Sequence, residues 1–349
     1  MLCSLKGYFL QFFAIGAVIA FGKAFGLQSL TPMKNDLRIV SLISSSTEIL
    51  CKLGLESQIV GISHECDYPE SIKTLPVCSA PKLNPNQFGK DIHDDVQRLI
   101  KQGLSIYDIK TDVLEKLAPD LIVTQDQCQV CAVSLSDVEK AVCHLTQHPA
   151  KICTLVPHTL EDIAEDFLRI GEATGKTQEA KSLKTEFWIH LNQINAKVGT
   201  HGKYRPRVLC IEWLDPLIIA GSWLPEITRL AGCDPLLVTE QGPFKTVTWQ
   251  EARECNPDFV LIFPCGYGIE KTMDEIKKTS IKSELLKFSA TQNGRTFVCD
   301  GNNYFNRPGP RISDTCEMIA RLTHPDKFMN HENKILNRGY QPLLRKDLE

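Results

Sequence analysis

The most constraining feature of this chain is an alternation. From Leu37 onward, short β-rich runs take turns with stretches of helical periodicity, and such alternation folds as βαβ units around a mostly parallel sheet. It comes as two series. The first holds RIVSLIS, IVGIS, LIVTQ and KICTLV, with helical stretches such as STEILCKLG and LSDVEKAVCHL among them. The second opens after Pro206 with RVLCIEWL, continues with FVLIFPC and ends with TFVCD before the loop GNNYFNRPGPR. Between the series, Ile163, Phe167, Ile170, Leu183, Phe187, Leu191 and Ile194 recur at helical spacing with no strand-like run among them. That spacing predicts one long helix or two shorter ones.

A chain of 349 residues is long for one core, which fits two domains of roughly 150 residues each. The fold class expected is α/β: two Rossmann-like lobes with mostly parallel sheets, joined by a long helical connector, with a ligand cleft between them. The boundaries read as an N-terminal lobe over 37–158, a connector over 159–204, a C-terminal lobe over 205–325 and a polar tail over 326–349. The tail is expected as a terminal helix or a loosely held extension. Residues 1–36 differ from the rest: Lys6, an apolar run from Tyr8 to Gly22, Lys23 and small residues to Gly26 make a signal-peptide layout. The run is shorter than the 18 or so residues of a spanning helix, so export to the periplasm is expected, with a membrane anchor or a cytoplasmic chain as the alternatives. The 14 cysteines pull toward the reduced, cytoplasmic alternative.

A net charge of -3 supplies no basic footprint, so no nucleic-acid partner is expected. No GxSxG, Walker A, HExxH or GxGxxG occurs, and no nucleophile, base and acid set can be assembled, so the chain reads as a binding protein rather than an enzyme. A monomer with no required cofactor is expected.

In an open α/β sheet, ligands bind beyond the carboxyl ends of the strands. The segments there are HECDYP, DQCQVC, EWLDP, CGYG and GNNYFNRPGPR, preceded by Gln125 at the end of its strand. They nominate His64, Glu65, Tyr68, Gln125, Asp126, Glu212, Trp213, Tyr267, Tyr304, Phe305 and Arg307 as ligand contacts, because aromatic walls with a few polar groups suit a cleft for a sizeable organic ligand. Each taken singly is equally well read as loop punctuation or a core cap. Ser45, in SSSTEIL, joins them because hydroxyls at a helix start cap N–H groups and can receive an anion. Cys128 and Cys131 form a CxxC which, with Cys66 and Cys265 in neighbouring loops, would suit a structural role, a thiolate metal site or thiol redox chemistry.

The opening RIVSLISSSTEILCKLGLESQIVGIS, the DYP at Asp67–Pro69, and the paired strand openings LAPDLIVTQ and CNPDFVLIFP resemble the helical-backbone periplasmic-binding-protein family of cobalamin and ferric-siderophore ABC importers, over about Leu37–Pro325. SHECDYP, TQDQCQVCAVS, EWLDP, PCGYG and YFNRPGPR look most like its cobalamin-binding branch. The resemblance implies a cobalamin or related metal chelate as ligand, a stiff connecting helix and an ABC permease as partner. It also implies one docking carboxylate per lobe, for which Glu70 and Glu226 are the candidates. The thiol-rich loops depart from the family pattern and keep open the alternative of a metal-binding or redox protein.

Overall fold

The structure, a computed structural model, describes residues 36–102, 106–126, 135–143, 150–199, 204–238, 242, 244–329 and 338–348. In the first half these form β1 (Ile39–Ser41), α1 (Ser44–Lys52), β2 (Ile59–Ile62), β3 (Ser79–Pro81), α2 (Gly89–Lys101), β4 (Tyr107–Ile109), α3 (Thr111–Leu117), β5 (Leu121–Gln125), α4 (Leu135–Cys143) and β6 (Lys151–Leu155). Helices α5 (Leu160–Thr174) and α6 (Thr177–Val198) follow. The second half holds β7 (Arg207–Leu214), β8 (Leu217–Ala220), α7 (Leu224–Leu230), β9 (Asp234–Pro235), β10 (Phe244–Thr246), α8 (Trp249–Glu254) and β11 (Phe259–Ile262). It closes with α9 (Ile269–Lys278), α10 (Ile281–Leu285), α11 (Ser289–Gln292), β12 (Thr296–Cys299), α12 (Ile312–Thr323), β13 (Tyr340–Pro342) and α13 (Arg345–Leu348).

The first sheet has the order β2-β1-β5-β6 and is parallel throughout. Its inner strand β5 is covered on both faces, which is why LIVTQ is buried at every position and opens with three consecutive apolar residues. The second sheet has the order β10-β8-β7-β11-β12-β13, with β9 beside β7. Its centre, β7, β11 and β12, is parallel, while β8, β10 and β13 add antiparallel margins. Strands β3 and β4 pair as a separate antiparallel ribbon.

The connector resolves into two helices. A reciprocal cap starts α5: Asp162 N–H donates to Thr159 Oγ1 at 3.1 Å and Thr159 N–H to Asp162 Oδ2 at 2.9 Å. Gly175, at φ 76°, ends it. The 22 residues of α6 reach about 33 Å, burying Ala180, Phe187, Leu191, Ile194 and Val198 along one stripe. The two helices approach closely, since a Cβ on Gly171 would stand 2.4 Å from that of Ala180. One apolar core runs from the first sheet through α5 and α6 to α12, so the connector is part of the core rather than a tether.

Of the two forms expected of the tail, a short terminal helix is present as α13, and the described part of the tail is anchored rather than loose. Strand β13 pairs antiparallel with β12, and Leu343 and Leu348 are buried in the core on that side of the second sheet. The polar sequence concealed this because an edge strand of three residues needs only its backbone to pair.

Candidate functional site

Three clusters form where the first lobe meets the second or faces its rim. The innermost is ionic. Arg311, at the head of α12, donates from Nε to Glu48 Oε2 at 2.8 Å and from Nη2 to Glu48 Oε1 at 2.5 Å. Arg307 Nη1 reaches the same carboxylate at 3.1 Å and Asp67 Oδ1 at 2.6 Å, while Asn302 donates to Asp67 Oδ2 at 2.9 Å. The Arg311 guanidinium also lies 4.1 Å from the Tyr68 ring centre and 4.9 Å from that of Tyr304. Glu48 side-chain exposure is 2% and that of Arg307 4%, so this is a desolvated, fork-to-fork arrangement. Two arginines and two carboxylates balance in charge. Nη2 of Arg307 and Oγ of Ser45 are buried without a hydrogen-bond partner.

The second cluster is aromatic. Tyr267 meets Trp213 edge-on at 5.4 Å, and Lys271 Nζ sits 3.6 Å above the Tyr267 ring centre. Lys271 also donates to the carbonyl of Pro85 at 2.5 Å, and Gly89 N–H donates to Glu275 Oε2 at 3.0 Å. Burial raises the Glu275 carboxyl, and burial together with the nearby Glu275 charge raises the Tyr267 phenol. The third cluster joins His64 Nδ1 to Ser79 Oγ at 2.8 Å, His64 to the Tyr107 ring at 5.2 Å, and the Tyr107 hydroxyl to Glu65 Oε1 at 2.9 Å. Burial, helped by the Lys110 charge, lowers His64 to about 4, and burial raises Glu65.

The nominated residues therefore divide. Tyr68, Tyr304 and Arg307 meet at the ionic cluster, Trp213 and Tyr267 at the aromatic one, and His64 and Glu65 at the third. Ser45 packs against Gly309, whose Cβ would stand 3.5 Å away. Helix α1 does not use its hydroxyls as N–H caps: its N-cap residue is Ile43, Ser46 donates to the Ile43 carbonyl at 2.9 Å and Ser44 to that of Glu65 at 2.8 Å. Glu212 and Trp213 lie within β7, at an irregularity in its pairing with β8, rather than in a loop after it. Gln125 is buried at the end of β5 and Asp126 is exposed beside it. Phe305 is fully buried, stacked on Phe263 at 4.4 Å.

Of the cysteines, Cys128 and Cys131 lie outside the described residues. Cys66 is buried with Sγ 3.1 Å from Thr47 Oγ1, and burial pushes its thiol up to about 11. Cys265 is half-buried, its N–H donating to the Glu212 carbonyl at 3.2 Å. Among the described residues no group of three or more His, Cys, Asp or Glu is placed to hold a metal ion. Glu70 is exposed and pairs with Lys73 at 2.7 Å. Glu226 is half-buried and accepts from the backbone of Leu160 at the start of α5, and burial raises its carboxyl.

Sequence reasoning missed Glu48, Asp67, Arg311, Lys271 and Glu275. One signal was available: Glu48 is the only charged residue between Arg38 and Lys52, a stretch otherwise buried almost throughout, and a carboxylate there calls for a cation.

A two-sheet α/β frame with a buried helical connector, and with polar and aromatic residues of both lobes meeting beyond the strand ends, is the build of a solute-binding protein. The chain belongs to the periplasmic binding protein family, whose model matches residues 39–302. It is 23% identical over 308 residues to the uncharacterized ABC transporter substrate-binding lipoprotein YvrC of Bacillus subtilis, covering 86% of this chain and 84% of that one. It is 23% identical over 292 residues to the vitamin B12-binding protein of Vibrio vulnificus, covering 82% and 90%. Among solved structures, a periplasmic heme-binding protein from Pseudomonas aeruginosa superposes with a TM-score of 0.63 at 17% identity, covering 88% and 95%. The periplasmic vitamin B12-binding protein BtuF of Vibrio cholerae does so with 0.57 at 18%, covering 87% and 99%. These likenesses establish the fold. No helix among the described residues is long and apolar enough to cross a membrane.

Proposed function

We propose that this protein is the substrate-binding component of an ABC-type importer and captures a corrinoid or a related planar metal chelate between its lobes. The observation that carries the reading is the gathering of Tyr68, Trp213, Tyr267 and Tyr304, contributed by both lobes, at the lobe junction. Aromatic side chains with cations beside them, Arg311 at Tyr68 and Tyr304 and Lys271 at Tyr267, suit a large conjugated ring bearing polar edge groups. The names of relatives matched over most of the chain, vitamin B12-binding and heme-binding, support the same ligand class. Export through residues 1–36 and delivery to a permease belong to this reading, with Glu70 as the better-exposed docking carboxylate.

The test is titration of purified protein with hydroxocobalamin and with hemin, followed by visible absorbance. A saturable spectral change in the micromolar range is expected. Affinity for both chelates no better than about millimolar, which corresponds to only about 4 kcal/mol, overturns the reading. A thiol-redox role is disfavoured at Cys66, because a thiol raised to about 11 and held against Thr47 carries almost no thiolate at neutral pH.

A further inference from the structure

Residues Lys82–Gly89 lead from β3 into α2 and form a strap of the first lobe laid against the second. Lys82 ties it to its own lobe, its N–H donating to the Ile106 carbonyl at 2.8 Å and its Nζ pairing with Asp108 at 3.1 Å, and two polar contacts fasten it to the second lobe. Gly89 N–H, in the opening turn of the 13-residue α2, donates to Glu275 Oε2, so a carboxylate of one lobe sits at the positive end of a helix of the other. Lys271 Nζ holds the carbonyl of Pro85. The fit at Gly89 is tight: a Cβ there would stand 2.8 Å from Glu275 Oε1 and 3.3 Å from Trp213 Cζ2.

Trp213 and Tyr267 lie beside this contact, Trp213 half-buried and Tyr267 only 3% exposed. The strap itself faces water, with Lys82, Asn84, Pro85, Asn86 and Phe88 exposed. Strap and α2 rest on a small apolar cluster, Val96, Leu99 and Ile106 flanked by Leu83, Ile92 and Tyr107, which meets the first lobe's larger core through Tyr107. A segment with a satellite core and a few polar latches opens at lower free energy than the body it covers.

We infer that Lys82–Gly89 is a gate. Latched by Glu275 and Lys271, it closes the aromatic side of the cleft, and a ligand reaches Trp213 and Tyr267 after the strap has swung away. The inference rests on the cleft being the ligand site, as proposed above, but its mechanical part is measurable without ligand.

The experiment compares the full chain with Gly89→Ala, which wedges the latch, and Glu275→Gln, which removes the charge but keeps an acceptor. Amide hydrogen exchange of ligand-free protein is read by mass spectrometry on peptides covering the strap and the start of α2. The gate predicts exchange there faster by about tenfold or more in both variants, since a hydrogen bond to a charged group accounts for at least that factor, with peptides of β5 and β11 unchanged. Stopped-flow association of hydroxocobalamin and hemin should then accelerate in the same variants. Unchanged strap exchange in both variants overturns the gate, as does faster exchange with an unaltered association rate for a chelate that binds. Absence of binding by either chelate to any form overturns the proposed ligand instead, and the gate then stands or falls on the exchange.

Discussion

The lobes touch at two polar junctions that differ in what stands behind them. At the inner one, Glu48 is gripped by Arg307 and Arg311, and α1 and α12, which contribute Glu48 and follow the arginine loop, are both rooted in the core that also runs through the connector. At the outer one, Glu275 and Lys271 hold backbone groups of a strap whose own support is a satellite cluster. Both carboxylates are buried, at 3% and 2% exposure. The contrast shows that burial alone does not make an interlobe contact permanent. A charge clamped between two large cores fixes how the lobes face each other, whereas a similar charge holding a lightly anchored segment serves as a catch.

The largest effect that would test this contrast is at the inner junction. Glu48→Ala takes from the buried Arg311 the carboxylate that meets its fork and leaves Arg307 with Asp67 alone, and is expected to lower unfolding free energy by about 3–5 kcal/mol, measured by urea titration. A loss under about 1 kcal/mol would mean the cluster is hydrated, and the distinction between the junctions would collapse. Arg311→Lys comes next. Lysine keeps the charge but gives up the bidentate fork and the stacking on Tyr68 and Tyr304, so a loss of about 1–3 kcal/mol is expected rather than near-neutrality. Lys271→Ala at the outer junction should cost about 0.5–1.5 kcal/mol. If it costs as much as Glu48→Ala, the strap is a structural element and not a catch.

One further effect depends on acid. His64 packs on Tyr107, which flanks the satellite cluster, and its folded value of about 4 lies below the ordinary 6.5. The unfolded chain therefore binds the proton first, and stability is lost as pH falls from about 6.5 toward 4, levelling off once both states are charged. Lys110, Glu65 and Ser79 surround the ring. His64→Gln should flatten that part of the pH profile, and an unchanged slope would show that other groups set it.

How much of this was legible follows from what each element needs from its sequence. Strands β1, β2, β5, β6, β7, β11 and β12 are apolar runs because both faces of a parallel sheet are covered, and the sequence displays all of them. Strands β3, β4, β9, β10 and β13 carry no run of consecutive apolar residues and exist through pairing, whereas the apolar β8 is short and lies only two residues after β7. Asp234–Pro235 carries no strand signal at all. The site divided in the same way. Aromatic residues in or just after strands are conspicuous, so Tyr68, Tyr267, Tyr304 and, within β7, Trp213 can be nominated from the sequence; Glu275 and Lys271 on a polar helix look like ordinary solvated charges until α2 arrives from the other lobe. Phe305 shows the converse: its place in a rim loop suggested the cleft, but its ring turns inward onto Phe263.

The clamp on Glu48 also has a consequence in time. Its partner Arg307 lies 259 residues further along the chain. At a synthesis rate of about 5–20 residues per second, a nascent first lobe would carry that carboxylate unanswered for roughly 13 to 50 seconds. During that wait the charge has to remain in water, so α1 cannot settle into its final surroundings however early the strands around it pair. The clamp closes only after GNNYFNRPGPR has arrived, and a ribosome that stalls before it leaves a chain of about 300 residues whose Glu48 carboxylate lacks its arginines.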